Sequence, residues 1–397
     1  MAELLIRAGT QDAALITRVL IGPPVLRPNR VVVDAHTPLA RPLVVDAAVK
    51  AGVPFLVDPQ TYFLQDYQHS ADAWALLPYG DPAKLVPADL LRGGAADRLA
   101  AAVIDHQLAC GATMIIAPYV HIEASADGWA RVQIALWRAT QRHVRAAGLS
   151  LPLIALVAVG WRLVDPATWA DVLDPLQDEL RRLAPAEIAL AASKIDQGAH
   201  PEERLNHLVA TVRRLKGTAP VLAWNQGALG EAAVAAGAAG YETGIAWRDR
   251  CDIRSAMTSR RTLDDGPRSA RPVYIDGLRR SLPKKSVAAL LHDRSVATDL
   301  ICLDLSCCPD GRDGLLTDQR GHAIGARLRS LATLAAPSQE AWRWNTLAMA
   351  ARTGIDLADR INIVASRGGI TRVDSSALRA TLAVADQRRQ YVRRSAA

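Results

Sequence analysis

The sequence predicts a parallel (β/α)8 barrel, or TIM barrel, followed by a mostly helical C-terminal region. Eight short apolar runs recur along the first 280 residues, and helix-length segments separate most of them. Almost every run ends in a polar or charged residue, and barrels of this kind carry their active sites at the carboxyl ends of the strands. The 397 residues suffice for one barrel of about 250 residues and an appendage of roughly 100.

We expect three segments: a lead-in over residues 1–29 that closes the bottom of the barrel, the barrel over 30–297, and a Cys/His-containing helical region over 298–397. Strands are predicted at the apolar runs near 31–33, 54–57, 114–117, 151–159, 188–192, 221–223, 244–246 and 273–275. Helical spacing predicts helices near 43–51, 96–109, 127–147, 166–183 and 202–215. An extra strand is expected at 298–305, and a basic terminal helix at about 375–394.

The composition favours a globular chain with an acidic partner. Half of the residues are apolar, the formal net charge is +7, and only six of the 47 basic residues are lysines. Arginine is dense over 248–280 and 388–394, where it can contact the phosphates of DNA or RNA. A solvated arginine surface is the alternative. We therefore expect nucleic acid as a partner, and a homo-oligomer or a protein partner is left open.

The expected location is the cytoplasm, with no membrane partner. The longest apolar stretch falls short of the roughly 20 residues that cross a bilayer. The first residues carry acids where a signal peptide would be basic. Five cysteines do not make a disulfide framework.

Three cysteines and a histidine follow the predicted barrel: Cys302, Cys307, Cys308 and His322. Three thiolates and an imidazole suit tetrahedral zinc, so a structural zinc site is predicted. The C-x4-C-C-x13-H spacing lacks a C-x2-C knuckle, and adjacent side chains of an extended backbone point apart. A structural cysteine pair with an exposed histidine is the alternative.

Four acids lie at the ends of predicted strands: Asp34, Asp58, Glu242 and Asp276. Two carboxylates at one barrel mouth can divide the roles of nucleophile and proton shuttle. A carboxylate at a strand end can equally cap a helix or bind an arginine. Further candidates for substrate contact at the strand ends are Gln60, His121, Asn225 and Gln226.

The P-loop, dinucleotide-binding and zinc-protease motifs are absent from the sequence. Gly227 and Gly230 precede a predicted helix, where a glycine turn can cradle phosphate. Close packing of strand and helix is the favoured explanation for them. A barrel enzyme acting on a small phosphorylated metabolite would need a phosphate site at this turn or after strand eight.

The order of barrel, Cys/His cluster and helices resembles the tRNA-guanine transglycosylase superfamily, including relatives that place 7-deazaguanine bases in DNA. Val57-Asp58-Pro59 resembles the motif of the family's acid or base, and residues 238–244 resemble the strand before its nucleophile, with Glu242 as the nearest acid. The cysteines and His322 resemble the family's zinc ligands. The resemblance covers the layout of residues 30–350, without the family's aspartate-serine-glycine-glycine-phenylalanine motif or its C-x-C-x2-C spacing.

The resemblance implies exchange of a guanine base in nucleic acid. Asp58 would be the acid or base, and Glu242 the nucleophile that forms a covalent nucleoside intermediate. The remaining candidates would bind the substrate: Asp34, Gln60, His121, Asn225, Gln226 and Asp276. The alternative is a barrel without catalytic activity that binds nucleic acid or serves as an assembly subunit. A base-sized pocket facing Asp58 and a second carboxylate would favour catalysis.

Overall fold

The computed structural model describes residues 2–40, 42–66, 74, 76–80, 84–245, 249–258, 271–367 and 370–395. Within these residues, nine strands form the main sheet and two form a separate hairpin. The strands are β1 Glu3–Ala8, β2 Arg30–Asp34, β3 Phe55–Asp58, β4 Ile115–Ile116, β5 His121–Ile122, β6 Leu153–Gly160, β7 Glu187–Ser193, β8 Val221–Ala223, β9 Gly240–Gly244, β10 Val273–Ile275 and β11 Arg280–Leu282.

The main sheet is a nearly closed barrel with eight strand positions. Its order is β3-β2-β1-β9-β8-β7-β6-β4, the neighbouring strands are parallel, and β5 follows β4 along the same edge of β6. Between β3 and β4, the Thr113 amide donates to the Phe55 carbonyl at 2.9 Å. The predicted (β/α)8 barrel is confirmed.

Side chains hold the interrupted position between β4 and β5. The Tyr119 amide donates to the Thr61 hydroxyl at 2.7 Å. Gln65 accepts from the His121 amide at 2.6 Å and donates to the His121 carbonyl at 2.8 Å. Because buried backbone groups need partners, these two side chains fix Tyr119 and His121 where the ladder stops.

The segment 1–29, expected as a lead-in, instead supplies the first barrel strand. β1 pairs with β2 on one side and with β9 on the other. Its apolar run is interrupted by Arg7, which is buried inside the barrel. Arginine is almost never buried without a partner. Because the partners of Arg7 are distant along the chain, this run is typical of an exposed segment when only the sequence is considered.

The run Val273–Ile275, expected as the eighth barrel strand, forms β10 of the antiparallel hairpin instead. The eighth position is taken by β9, which closes directly onto β1. A short apolar run before an acid is compatible with a parallel barrel strand and with an antiparallel hairpin strand. Only the partner strand distinguishes the two.

Helices surround the barrel and make up most of the C-terminal region. The five helices predicted by apolar spacing are confirmed, although α7 starts later than expected, after a 3-10 turn. Residues 298–305, expected as a strand, begin in α12 and continue as irregular chain. The helices are α1 Ala13–Ile21, α2 Thr37–Ala40, α3 Leu43–Ala51, α4 Pro87–Leu90, α5 Ala95–Ala109, α6 Trp129–Ala146, α7 Leu173–Leu183, α8 Pro201–Leu215, α9 Gly230–Ala235, α10 Ile253–Thr258, α11 Lys284–Leu290, α12 Ala297–Leu300, α13 Arg312–Thr317, α14 Gln319–Ala335, α15 Glu340–Ala365 and α16 Ser376–Ser395.

The C-terminal helices extend the barrel core and enclose a smaller second core. Trp344 on α15 and Val384 on α16 belong to the barrel core. Leu357 and Ile361, further along α15, pack with Val273 of the hairpin. In the part of the chain that the structure describes, no helix combines the length and the apolarity needed to span a bilayer.

Gly227 and Gly230, the glycines of the predicted turn, are required for close packing. A Cβ atom at Gly227 would lie 2.4 Å from the Thr243 hydroxyl oxygen, and one at Gly230 would lie 2.3 Å from the Tyr241 ring. Protein interiors leave no room for such overlaps. Packing of strand against helix therefore accounts for both glycines.

Replacing Gly230 with alanine should destabilise the protein by about 1–3 kcal/mol, because the added methyl group overlaps the buried Tyr241 ring. Gly217→Ala is the matched control, since its Cβ would meet only the Arg214 carbonyl, at 3.4 Å. Urea unfolding followed by circular dichroism measures both variants. Equal free energies of unfolding would contradict this role of Gly230.

Candidate functional site

One arginine and three carboxylates meet inside the barrel. Arg7 on β1 donates from Nη1 to Asp34 Oδ1 at 2.9 Å and from Nη2 to Asp58 Oδ2 at 2.6 Å. Its Nε donates to Glu242 Oε1 at 2.9 Å. We call these four side chains the Arg7 cluster. Three of the four acids predicted at strand ends therefore lie together.

The Arg7 cluster is closed to solvent, since Asp58 is 1 % and Glu242 0 % exposed. Burial alone would lower the pKa of Arg7, but Glu242, Asp58 and Asp34 raise it, so the guanidinium stays charged. Burial raises the pKa of Glu242, against the opposing effect of Arg7. With one cation for three carboxyl groups, the cluster can keep a proton on one of them.

Neighbouring groups orient two of these carboxylates. The Tyr119 hydroxyl donates to Asp58 Oδ1 at 2.9 Å, and the Gln60 amide donates to the same oxygen at 3.0 Å. The Asn225 amide donates to Glu242 Oε2 at 2.8 Å. All four carboxyl oxygens of Asp58 and Glu242 therefore accept a hydrogen bond, which offsets part of the cost of their burial.

Gln60 lies beside the Arg7 cluster with one polar atom unused. Its Nε2 donates to Asp34 Oδ1 at 3.0 Å. Its Oε1 is buried and has no hydrogen-bond partner among the described residues. Because buried polar atoms are nearly always paired, this oxygen is a candidate acceptor for an N–H group of a ligand.

Three residues that follow barrel strands have left-handed backbone conformations. Gln60 after β3, Lys194 after β7 and Asn225 after β8 have φ values of 49°, 61° and 56°. Residues other than glycine are uncommon in this region, and such strain clusters at active sites. The strand-end face of the barrel is therefore the candidate functional site.

His121, at the start of β5, is paired with Glu123. Its Nε2 lies 2.9 Å from Glu123 Oε2, whereas its buried Nδ1 has no partner within the described chain. The hydrogen bond with His121 lowers the pKa of Glu123. A carboxylate that accepts from Nε2–H leaves Nδ1 as the acceptor nitrogen. His121 can therefore accept a hydrogen bond from an N–H group at Nδ1.

Gln226 and Asp276, both expected to contact substrate, have structural partners. Gln226 Nε2 donates to the Ala192 carbonyl at 2.7 Å and so connects the β8 loop to β7. Asp276 accepts from Arg279 at 2.6 Å and from Ser330 at 2.7 Å. Asp276 lies apart from the other strand-end acids because β10 belongs to the hairpin and not to the barrel.

Arg7 and Glu123 are not among the residues predicted from the sequence. An arginine within an apolar strand is a signal for a buried ion pair, once the segment is recognised as a strand. Glu123 stands two residues after His121, so the strand period places both side chains on one face.

A second cluster lies outside the barrel. Cys302, Cys307, Cys308 and His322 bring their sulfur and nitrogen atoms within 4.8 Å of one another. The Asp304 carbonyl accepts from the amides of both Cys307 and Cys308, at 3.1 and 2.7 Å. This turn lets the adjacent cysteines face one point, which an extended backbone would not allow. The four residues could therefore hold a metal ion.

Neighbouring groups prepare this cluster for a cation. His322 Nε2 donates to the Tyr274 carbonyl at 2.9 Å, which leaves Nδ1 as the ligand atom. A hydrogen bond with Cys308 lowers the pKa of Cys307, which favours the thiolate form that binds a metal ion. His322 is buried, so the alternative with an exposed histidine is wrong.

No family model and no curated protein matches the chain.

Replacing Arg7 with methionine should destabilise the protein by about 3–5 kcal/mol, because three buried carboxyl groups lose their shared cation. Arg7→Lys should be intermediate, since an ammonium keeps the charge but not the planar array of donors. Arg181→Met removes an exposed pair with Asp178 and should leave stability nearly unchanged. Urea unfolding at neutral pH measures all three. An Arg7→Met variant as stable as Arg181→Met would contradict the role assigned to Arg7.

Proposed function

We propose that the protein is a barrel enzyme of the transglycosylase type that exchanges a guanine base in nucleic acid. The observation that carries this proposal is the convergence of Asp58 and Glu242 on one guanidinium, at 2.6 and 2.9 Å. Two carboxyl groups held this way can divide nucleophilic attack and proton transfer between them.

The acceptors around the Arg7 cluster support a substrate rich in N–H donors. Gln60 Oε1 and His121 Nδ1 are buried acceptors without a hydrogen-bond partner among the described residues. Guanine carries an N1–H group and a 2-amino group on one edge, which complements these two acceptors. Asn225, adjacent to Glu242, would contact another part of the base.

In the proposed reaction, Asp58 carries a proton at the start and Glu242 is the carboxylate, the form that its hydrogen bonds from Arg7 and Asn225 favour. The Glu242 carboxylate then forms a bond to the glycosidic carbon while the bond from that carbon to the guanine nitrogen breaks. The leaving base takes the electron pair and accepts the proton of Asp58. The incoming base loses a proton to Asp58 and displaces Glu242, which restores the starting state.

A stack of arginine and tryptophan supports a nucleic-acid partner. The guanidinium carbon of Arg204 lies 3.7 Å from the centroid of the Trp161 ring, and that of Arg162 lies 4.8 Å from the same ring. Trp161 directly follows β6, so these cations lie at the strand-end face. Such groups can contact phosphates and stack on bases.

The two arginine-rich segments add less support. Residues 248 and 259–270 of the first lie outside the described residues, as do the side chains beyond 389 in the second. Arg389 donates to Asn345 at 2.8 Å, and Arg388 donates to Asn206. These two arginines are therefore engaged within the chain.

A barrel without catalytic activity is the second candidate, and the burial of the Arg7 cluster favours it. Asp58 and Glu242 are both closed to solvent, and both already bind Arg7. In a sealed ion cluster, fixing the pairing of the strands can be the sole role of the charges. Nucleic acid would then bind without a reaction.

We propose that the Cys/His cluster binds a structural zinc ion. Tetrahedral zinc, with Zn–S of about 2.3 Å and Zn–N of about 2.0 Å, sets spacings of roughly 3.5 Å between sulfur and nitrogen and 3.8 Å between sulfurs. His322 Nδ1 lies 3.5 Å from Cys307 Sγ and 3.4 Å from Cys308 Sγ, and the two sulfurs are 3.9 Å apart. Four protein ligands are typical of structural zinc.

Purified protein should contain about one zinc ion per chain, measured by mass spectrometry of the metal. Cys307→Ser should lower the zinc content and the thermal stability together, because metal binding contributes to folding. Cys110→Ser changes a buried cysteine outside the cluster and should keep the metal. Metal-free protein obtained without chelator would contradict the zinc assignment.

Exchange of labelled guanine into tRNA or DNA tests the proposed reaction. Asp58→Asn and Glu242→Gln should each lower the rate by at least about 100-fold, while nucleic-acid binding at fixed salt is retained. Each amide also meets a donor, Arg7 or a backbone N–H, so a stability loss of about 1–3 kcal/mol should accompany the change.

Asp276→Asn is the matched control for this experiment, because Asp276 lies in the hairpin and its loss should spare exchange. Full activity in folded Glu242→Gln would exclude Glu242 as the nucleophile. Wild-type protein that binds nucleic acid but exchanges no guanine would favour the barrel without catalytic activity.

A further inference from the structure

A cavity of about 540 Å³ lies between the barrel and the C-terminal helices. Its walls come from the loops after β7, β8 and β9, from the β10–β11 hairpin, and from α15 and α16. No member of the Arg7 cluster or of the Cys/His cluster lines it. The volume lies within the range of small-molecule pockets, about 300–1,000 Å³.

The apolar part of the lining is built on core residues. Leu347 belongs to the barrel core, and Leu278 belongs to the second core around the hairpin. Leu378 on α16 also lines the cavity and is buried. Because packing holds these leucines in place, the cavity offers a preformed apolar surface to a ligand.

Each carboxylate of the lining already has an arginine within ion-pair distance. The pairs are Asp196–Arg250 at 2.9 Å, Asp374–Arg250 at 3.7 Å, Glu231–Arg279 at 3.5 Å and Asp249–Arg327 at 2.7 Å. A ligand that brought a charge of either sign would add an unmatched ion to a partly buried site, which is costly. The charge pattern therefore favours a neutral ligand.

The charge of Arg280, the remaining arginine of the lining, is also offset. Burial and Arg250 lower the pKa of Arg280, whereas Asp374, Asp249 and Asp196 raise it. The same three carboxylates would repel an anion that approached this guanidinium.

Arg280 nevertheless keeps N–H groups that a neutral acceptor can use. Its Nη1 donates to the carbonyl oxygen of Asp374, which is the only acceptor of this side chain among the described residues. A guanidinium carries five N–H donors. A carbonyl oxygen of a ligand would accept a charge-assisted hydrogen bond from Arg280 without bringing a charge of its own.

We propose that this cavity binds a neutral apolar molecule with a carbonyl group, whose oxygen accepts from Arg280 and whose apolar body packs on Leu278, Leu347 and Leu378. An apolar lining with a few polar groups that orient the ligand is the usual composition of a small-molecule site. The proposal does not rest on the base-exchange reaction, because no residue of the Arg7 cluster takes part.

A fluorescent neutral ketone, 6-propionyl-2-(dimethylamino)naphthalene, tests this site in the full chain. Its emission should shift to shorter wavelength on binding, because the dye leaves water for apolar surroundings. Three competitors that share a naphthalene body then measure the charge preference: 2-acetylnaphthalene, the 2-naphthoate anion and the 2-naphthylmethylammonium cation. The ketone should displace the dye at a concentration about tenfold or more below that of either ion.

Variants locate the binding. Ala350→Phe should abolish the shift by filling the cavity from α15, whereas Ala146→Phe, at the exposed end of α6, should keep it. Arg280→Met should weaken the dye about tenfold through the lost hydrogen bond. Arg181→Met, on the exposed surface of α7, is the charge-matched control and should have no effect.

Circular dichroism of each variant shows that it is folded. The absence of a shift in the wild-type protein, displacement by either ion as effective as that by the ketone, or unchanged dye binding in both folded cavity variants would overturn the proposal. If Ala350→Phe does not fold, the comparison of Arg280→Met with Arg181→Met decides alone.

Discussion

The guanidinium of Arg7 connects β1 to three other strands and sets the charge balance inside the barrel. β1 lies between β2 and β9, so Arg7 reaches Asp34 on one side and Glu242 on the other, and Asp58 one strand further. Without a cation, three carboxyl groups in a water-free interior would be held in their neutral forms. The presence of acids at these strand ends, and any chemistry they perform, therefore depends on the position of one arginine.

The interruption of the fourth barrel position serves the same cluster. Thr61 and Gln65 replace the missing ladder bonds, and this fixes Tyr119 with its hydroxyl on Asp58. His121 follows two residues later with an open nitrogen. A continuous ladder would satisfy the backbone without these side chains, so the break couples the barrel's closure to the orientation of its carboxylates.

Charge matching also organises the C-terminal region. Arg279 binds Asp276, and Arg327 binds Asp249. Arg329 binds Asp304 and donates to Cys302 Sγ at 3.4 Å, so a cation lies beside the Cys/His cluster. The sulfurs of Cys307 and Cys308 also lie 3.5 and 3.4 Å from His322 Nδ1. A metal ion at this cluster would bind the same sulfur and nitrogen atoms.

The barrel class, most of the helices and the four residues that could hold a metal ion were predictable from the sequence, because apolar period and residue type are local properties. Asp34 and Asp58 were likewise predicted at strand ends, where they lie, whereas Glu242 lies within β9. That β1 closes the barrel and β10 does not became apparent only from the folded chain, since a run of three apolar residues does not specify its partner strand. The same holds for Arg7, whose burial depends on carboxylates 27, 51 and 235 residues away along the chain. Pairing over such separations is fixed by packing, which no local pattern records.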